Sequence, residues 1–313
     1  MKKFKEIRLI LENLNNNIYI AGHIKPDQDS IGSCLSLARF LNNIGKNTHV
    51  LLEDKDLDII KWQNDYSLVT NEIKEKKYTF IALDLNEKKR LGVFENYFDN
   101  ANYTINIDHH QDNKYEANFT LSIPGISSTC EIIFEIINSF GKEHFTKPIN
   151  ESLYAGIMND TNCFTRRLSS NTLKITQKLI NSNIDYSYII KKTLTERTMY
   201  EFKALAKLVN EIKYDKFHYV VVDKEDESFS SLTHNQIVKK IAEDLRTIEG
   251  IDIFIVLIKN KDIITAKCMS NISENADKIA SLFDGGGHKK EAGFTAKNIS
   301  TAEILDKIKN YLS

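Results

Sequence analysis

Apolar and polar positions follow two different rhythms along the first two-thirds of the chain. Ile18-Tyr-Ile-Ala, Thr48 to Leu52, Phe80-Ile-Ala-Leu and Tyr103 to Ile107 are short apolar runs bounded by polar residues, the signature of buried strands. Between them the period changes. From about Ser30, apolar residues recur at Ile31, Cys34, Leu35, Ala38 and Leu41, which places them on one face of a helix. Ser128-x-x-Glu131 has the form of a capping box, and it opens a second helical stretch with Ile133, Ile136, Ile137 and Phe140 inward. Strands that alternate with helices predict an α/β fold whose mostly parallel sheet is covered by helices on both faces.

A second capping-box pattern, Thr193-x-x-Glu196, precedes Met199, Phe202, Leu205, Val209 and Ile212 at helical spacing. It predicts a helix that runs to about Lys213 and joins two domains. Beyond it the pattern restarts. Strands are expected at Tyr219–Val222, Ile251–Ile258 and Ile263–Ala266. Helices are expected around Gln236–Leu245, up to Phe283, and after Ser300-x-x-Glu303. The expected organisation is a first α/β domain over 1–194, a linker helix over 195–213 and a smaller α/β domain over 214–313.

Composition narrows the class. Lys and Arg number 42 against 43 Asp and Glu, a net charge of −1, which excludes capture of duplex nucleic acid or anionic membrane by bulk positive charge. No segment approaches the ~20 apolar residues of a membrane helix, and Met1-Lys-Lys-Phe-Lys-Glu does not read as a secretory signal. The 4 cysteines are widely separated, so a reducing, cytoplasmic setting is expected.

The candidate chemistry sits at the ends of the predicted strands. His23-Ile-Lys-Pro-Asp27-Gln-Asp29 follows the first, Asp84 ends the third, and Asp108-His109-His110 ends the fourth. Asp160 follows the apolar run Leu153-Tyr-Ala-Gly-Ile-Met. In open α/β sheets the C-terminal strand edge is where ligands bind. Singly, these residues are ordinary turn formers and helix caps. Brought together, so many carboxylates repel one another unless cations join them. Imidazole and carboxylate without thiolate suit a borderline divalent ion such as Mn²⁺.

The set His23-x-x-Pro26-Asp27-x-Asp29-x-x-Gly32-Ser33, Asp84, Asp108-His109-His110 and Asn159-Asp160-Thr161 resembles the four motifs of the DHH phosphoesterases. Asp284-Gly285-Gly286-Gly287-His288, with Glu291-Ala-Gly293, resembles the signature of their C-terminal DHHA1 domain. Within the family the chain looks most like the short oligoribonucleases that also act on 3′-phosphoadenosine 5′-phosphate (pAp). The resemblance implies two metal ions. His23, Asp27 and Asp84 would hold one; Asp29, Asp84, His109 and Asp160 the other, with Asp84 shared. Asp108 would orient a neighbouring histidine or loop, and His110 would face the substrate phosphate.

Two divalent ions can activate one water for in-line attack on phosphorus. The expected activity is therefore Mn²⁺-dependent hydrolysis of short oligonucleotides or pAp. A phosphodiesterase for linear or cyclic dinucleotides such as pApA stays open, as does a non-catalytic nucleotide-binding regulator. Near-neutral charge favours short substrates, and self-association into a homodimer is left open. Gly285, Gly286, Gly287 and His288 are expected to hold phosphate, so that the second domain grips substrate across a cleft from the first. Arg90 and Arg166, each six residues beyond a motif Asp, are further phosphate candidates. One departure stands out. Met269 occupies the place where the family commonly has a phosphate-gripping Arg, and the nearby Lys267 is expected to substitute in part.

Overall fold

The computed structural model describes residues 2–313 apart from 15–16, 64–65, 112, 231–244 and 246–247, and leaves the side chains of Lys2, Ser230 and His288 undescribed. The helix expected around Gln236–Leu245 lies outside the described residues except for Leu245. Two compact units divide the chain, Met1–Glu196 and Arg197–Ser313.

In the first unit the strands are β1 (Asn17–Ala21), β2 (Thr48–Leu51), β3 (Val69–Thr70), β4 (Tyr78–Leu83), β5 (Tyr103–Asp108) and β6 (Phe119–Ser122). They form one sheet in the order β3-β2-β1-β4-β5-β6, and every pair is parallel. The chain winds outward from β1 to β2 and β3, then returns to the other side of β1 with β4. That reversal is a topological switch point, and the loops after β1 and β4 part from each other there.

Both sheet faces are buried, and alternation along single strands shows it. Ile18 and Ile20 of β1 join one core with Ile81 and Leu83 of β4. Tyr19 and Ala21 join another with Phe80 and Ala82. Over the first face lie α2 (Gln28–Asn43), α4 (Thr129–Phe140) and α5 (Lys147–Thr161); α1 (Lys2–Asn13) precedes them, and α3 (Glu95–Asp99) lies between α2 and α4 in the chain. Every residue of α2 from Gln28 to Leu41 is buried, so this helix is central rather than amphipathic. The second face is covered by shorter helical elements. The irregular turns of Lys88–Phe94 and the short α3 supply Leu91, Phe94 and Phe98. α6 (Ser170–Ile180) and α7 (Tyr186–Ile190) complete this unit.

The linker helix differs from its expected form. The box at Thr193-x-x-Glu196 is not made. Thr193 Oγ1 donates to the Ile189 carbonyl at 2.8 Å, and Glu196 pairs with Lys192. Thr198 and Glu201 make the box instead, and α8 spans Met199–Asn210. Its buried positions are Ala204 and Leu208, which pack with Val220, Val256 and Met269 of the second unit. Met199 and Phe202 are exposed.

The second unit holds a mixed six-stranded sheet in the order β11-β12-β10-β9-β8-β7. Its strands are β7 (Lys213–Asp215), β8 (Phe217–Asp223), β9 (Ile253–Asn260), β10 (Ile263–Ser270), β11 (Gly286–His288) and β12 (Glu291–Lys297). Only β8 and β9 are parallel neighbours. The glycine run is thus part of a strand in a hairpin, not an open loop. A Cβ on Gly285 would stand 2.4 Å from the Gly293 carbonyl oxygen. Gly287 has φ +147°, and a Cβ there would stand 2.6 Å from Ala292 Cα. These two glycines let the strands approach each other; Gly286 meets nothing within 4 Å. Met269 is 1% exposed in the core, and the Lys267 amine is engaged by Glu291 at 2.5 Å.

Candidate metal centre

Four chain segments deliver the motif residues to the C-terminal edge of the first sheet. The turn after β1 brings His23 and Asp27. Asp27 is the N-cap of α2, its Oδ1 accepting from the amides of Asp29 and Ser30 at 3.0 Å each. Asp29, in the first turn of α2, is fully buried. Asp84 directly follows β4 with φ +61°, a conformation that costs a non-glycine residue energy and persists only when its surroundings impose it. His109 and His110 follow β5. Asp160 lies in the last turn of α5.

Asp84 is the centre of the group. Its Oδ2 is 3.5 Å from His23 Nε2, and its Oδ1 is 3.5 Å from His109 Nε2. His23 Nε2 is also 4.0 Å from Asp27 Oδ1, and His109 Nε2 is 3.3 Å from Asp160 Oδ2. Each imidazole is fixed through its other nitrogen, His23 Nδ1 on the Ile24 carbonyl at 2.9 Å and His109 Nδ1 on the Ile126 carbonyl at 3.2 Å. A carbonyl partner of that kind selects the tautomer that leaves Nε2 free for a cation. Three donor groups result: His23, Asp27 and Asp84; Asp29, His109 and Asp160; and Asp84, His109 and His110. Within each, one donor atom per residue lies inside 4.8 Å of the others.

The electrostatics match a site built for positive charge. Burial, then the charges of Asp84 and Asp160, hold the Asp29 carboxyl well above its ordinary value. Burial and the Asp27 charge push Asp160 up to about 6, against the pull of His109. Burial would lower His23, but its hydrogen bond to Asp84 and the charge of Asp27 raise it above the usual imidazole value. Crowded carboxylates that resist ionisation lose that penalty when divalent cations take the place of protons.

Other motif residues are placed differently. Asp108 is buried and turns to His110 and Asn113 rather than to the cluster. Arg90 sends its backbone carbonyl to the Ile24 amide, and its charge opposes the carboxylates at both His23 and His110. Arg166 Nε donates to the Asp160 carbonyl at 3.2 Å. Gly285, Gly286, Gly287 and His288 belong to the second unit.

Sequence reasoning missed three contributors. Arg167 reaches Asp160 Oδ2 at 3.3 Å. Asn113 Nδ2 donates to Asp108 Oδ2 at 2.7 Å. The start of α4 holds Asp29, with the amides of Thr129 and Cys130 donating to its two oxygens at 2.7 and 2.8 Å. Each oxygen keeps a further lone pair. Ser128 signalled a helix start, and it does cap α4. What the free amides of that turn would grip is a tertiary fact with no local sequence signature.

A family model described as the DHH family, N-terminal domain, matches residues 17–157, and one described as the DHHA1 domain matches 214–313. The chain belongs to this DHH/DHHA1 family of phosphoesterases, hydrolases of phosphoric ester bonds. A bifunctional oligoribonuclease and PAP phosphatase from Thermus thermophilus is 25% identical over 98% of this chain and 92% of its own length. A cyclic-di-AMP phosphodiesterase from Listeria monocytogenes is also 25% identical, over 92% of this chain but only 46% of its own. Among solved structures, an exopolyphosphatase-related protein from Bacteroides fragilis has the same fold, with a TM-score of 0.87 at 21% identity over 99% of this chain and 95% of that one. Among the described residues no helix is long and apolar enough to cross a membrane.

Proposed function

We propose that the chain is a Mn²⁺-dependent hydrolase of short oligoribonucleotides and pAp. The observation that carries this reading is the Asp84 carboxylate, which faces His23 with one oxygen and His109 with the other. A carboxylate so placed suits a bridge between two cations. His23, Asp27 and Asp84 would hold one ion; Asp84, Asp29, His109 and Asp160 the other. Bound there, the ions would lower the pKa of a water and offset charge that builds on the phosphoryl oxygens.

The chain's own side chains do the rest. His110, its Nδ1 held by Asp108, offers Nε2 to a phosphate oxygen. Arg90 and Arg166 would steady the phosphate, with Arg167, already on Asp160, beside them. Gly286, with open space where a Cβ would be, is the residue of the glycine run best suited to approach an anion closely; Gly285, Gly287 and His288 flank it. The likeness to the Thermus enzyme favours short RNA and pAp; the likeness to the Listeria enzyme supports a second reading, hydrolysis of linear or cyclic dinucleotides. The four cysteines are free thiols, in keeping with a cytoplasmic setting.

A substrate panel with Mn²⁺ tests the proposal: diribonucleotide, pentaribonucleotide, long RNA, pAp and pApA. The reading requires the highest kcat/KM on the short oligoribonucleotides or pAp. Fastest turnover of pApA would transfer the assignment to the dinucleotide reading, and preference for long RNA would refute both.

A further inference from the structure

One hydroxyl touches the centre without being able to belong to a usual ligand set. Thr129, the first residue of α4 and fully buried, donates from Oγ1 to Asp84 Oδ1 at 3.0 Å. That is the oxygen 3.5 Å from His109 Nε2. Through its amide the same residue also holds Asp29 Oδ2. Thr129 therefore joins two carboxylates that come from different strands and helices.

Its own position is fixed from behind. Ser128 Oγ accepts from the Glu131 amide at 3.1 Å. The Glu131 side chain does not turn back to the cap, as the sequence pattern suggests. It is 1% exposed and accepts from Ser127 Oγ at 2.6 Å, Thr172 Oγ1 at 2.9 Å and Asn171 Nδ2 at 2.8 Å. A buried carboxylate with three donors is a rigid anchor, and it locks the turn from which Thr129 projects.

We propose that Thr129 is a positioning residue for the cation centre: its hydroxyl fixes the rotation of the Asp84 carboxylate so that both oxygens face their histidines. The terminal torsion of an aspartate is soft, and a single strong donor on Oδ1 selects one orientation and leaves a lone pair on that oxygen. Removing such a partner of a metal-binding carboxylate typically weakens metal affinity by roughly 10–100-fold. The inference rests on the proposal that Asp84 is a shared metal ligand.

The test is Mn²⁺ titration calorimetry on the full chain, beside thermal melts in chelator. Four proteins are compared: wild type, Thr129→Val, Thr129→Ser and Asp84→Asn. Valine keeps the shape and removes the hydroxyl; serine keeps the hydroxyl. Thr129→Val should bind at least one ion roughly 10-fold more weakly or worse, with its chelated melting temperature near that of wild type. Thr129→Ser should bind within about threefold of wild type, a rescue that a merely structural role does not require. Should Thr129→Val fail to fold, Thr129→Ala is judged by the same criterion. Asp84→Asn separates the two levels of the argument. If it binds Mn²⁺ as wild type does, the metal reading of the centre is wrong and the proposal falls with it. If it loses Mn²⁺ while Thr129→Val binds normally, the metal reading stands and the positioning role is overturned.

Discussion

His110 Nδ1 stands 2.6 Å from Asp108 Oδ1, a bond between side chains two residues apart at the end of β5. Burial alone would push the Asp108 carboxyl up, but this hydrogen bond and the His110 charge outweigh it and hold the group below its ordinary value. Asp108 is therefore an anion committed to His110, with Asn113 on its second oxygen. Of the five motif aspartates it is the one that takes no part in the donor groups around Asp84.

Asp108→Asn should accordingly leave the metals in place and disturb the histidine. The amide keeps the shape but no longer stabilises the imidazole in one orientation and charge state. We expect kcat to fall by roughly 10–100-fold with unchanged metal content. Steady-state kinetics beside elemental analysis checks this. Loss of an ion in the variant would put Asp108 among the ligands.

Asp160 gives a pH prediction for the metal-free protein. Its folded value of about 6 lies above the unfolded value of ~3.9. A raised acid contributes stability that is fully present below the unfolded value and lost as pH rises through the folded one. Asparagine is a permanently neutral stand-in. In chelator, Asp160→Asn and wild type should be equally stable at pH 4. At pH 7 the variant should be the more stable, by on the order of 2–3 kcal/mol for a shift of about two units. Excess Mn²⁺ at pH 7 should reverse the order. Equal urea midpoints at pH 4 and pH 7 in chelator would contradict the crowding of carboxylates at this site.

Much of this was legible in the sequence because the first unit is local in its logic. Strand, polar loop and helix recur in order, and His23, Asp27, Asp84 and Asp108 fall at strand ends or a helix cap that period and capping rules locate, whereas Asp160 sits inside the last turn of α5. Asp27 and Ser128 are examples of such caps. What the sequence hid depends on contacts between distant segments. The grip of the α4 amides on Asp29 spans about a hundred residues of chain. Thr193-x-x-Glu196 and Thr198-x-x-Glu201 carry the same local signal, and only the packing of Ala204 and Leu208 decides between them. Nothing local announces that the glycine run pairs in a hairpin with the strand holding Gly293.

Met269→Arg tests the sequence reading at that position of the second unit. Sequence reasoning expects an arginine there to restore a phosphate grip. The structure buries Met269 in an apolar core, where a guanidinium has no ready partner because Glu291 is engaged by Lys267. An unpaired buried charge of this kind costs about 3–5 kcal/mol. The variant should melt several degrees lower, as differential scanning calorimetry will show. Unchanged melting together with improved kcat/KM on pAp would mean that the side chain escapes the core and reaches substrate.

Metal choice follows from His23 and His109. Two imidazoles among carboxylates favour a borderline ion over a hard one. Chelator should abolish hydrolysis, and Mn²⁺ should restore it better than Mg²⁺ at equal concentration. Equal or faster turnover with Mg²⁺ would contradict the assignment of both histidines as ligands.

The most direct measurement of the central claim is the number of Mn²⁺ ions bound per chain, in wild type and in Asp84→Ala, after removal of free metal. A shared carboxylate that faces His23 on one side and His109 on the other predicts two ions in wild type and the loss of both, or of all but a weak remnant, in the variant. A single ion in wild type, or two that survive the loss of Asp84, would contradict the two-metal centre.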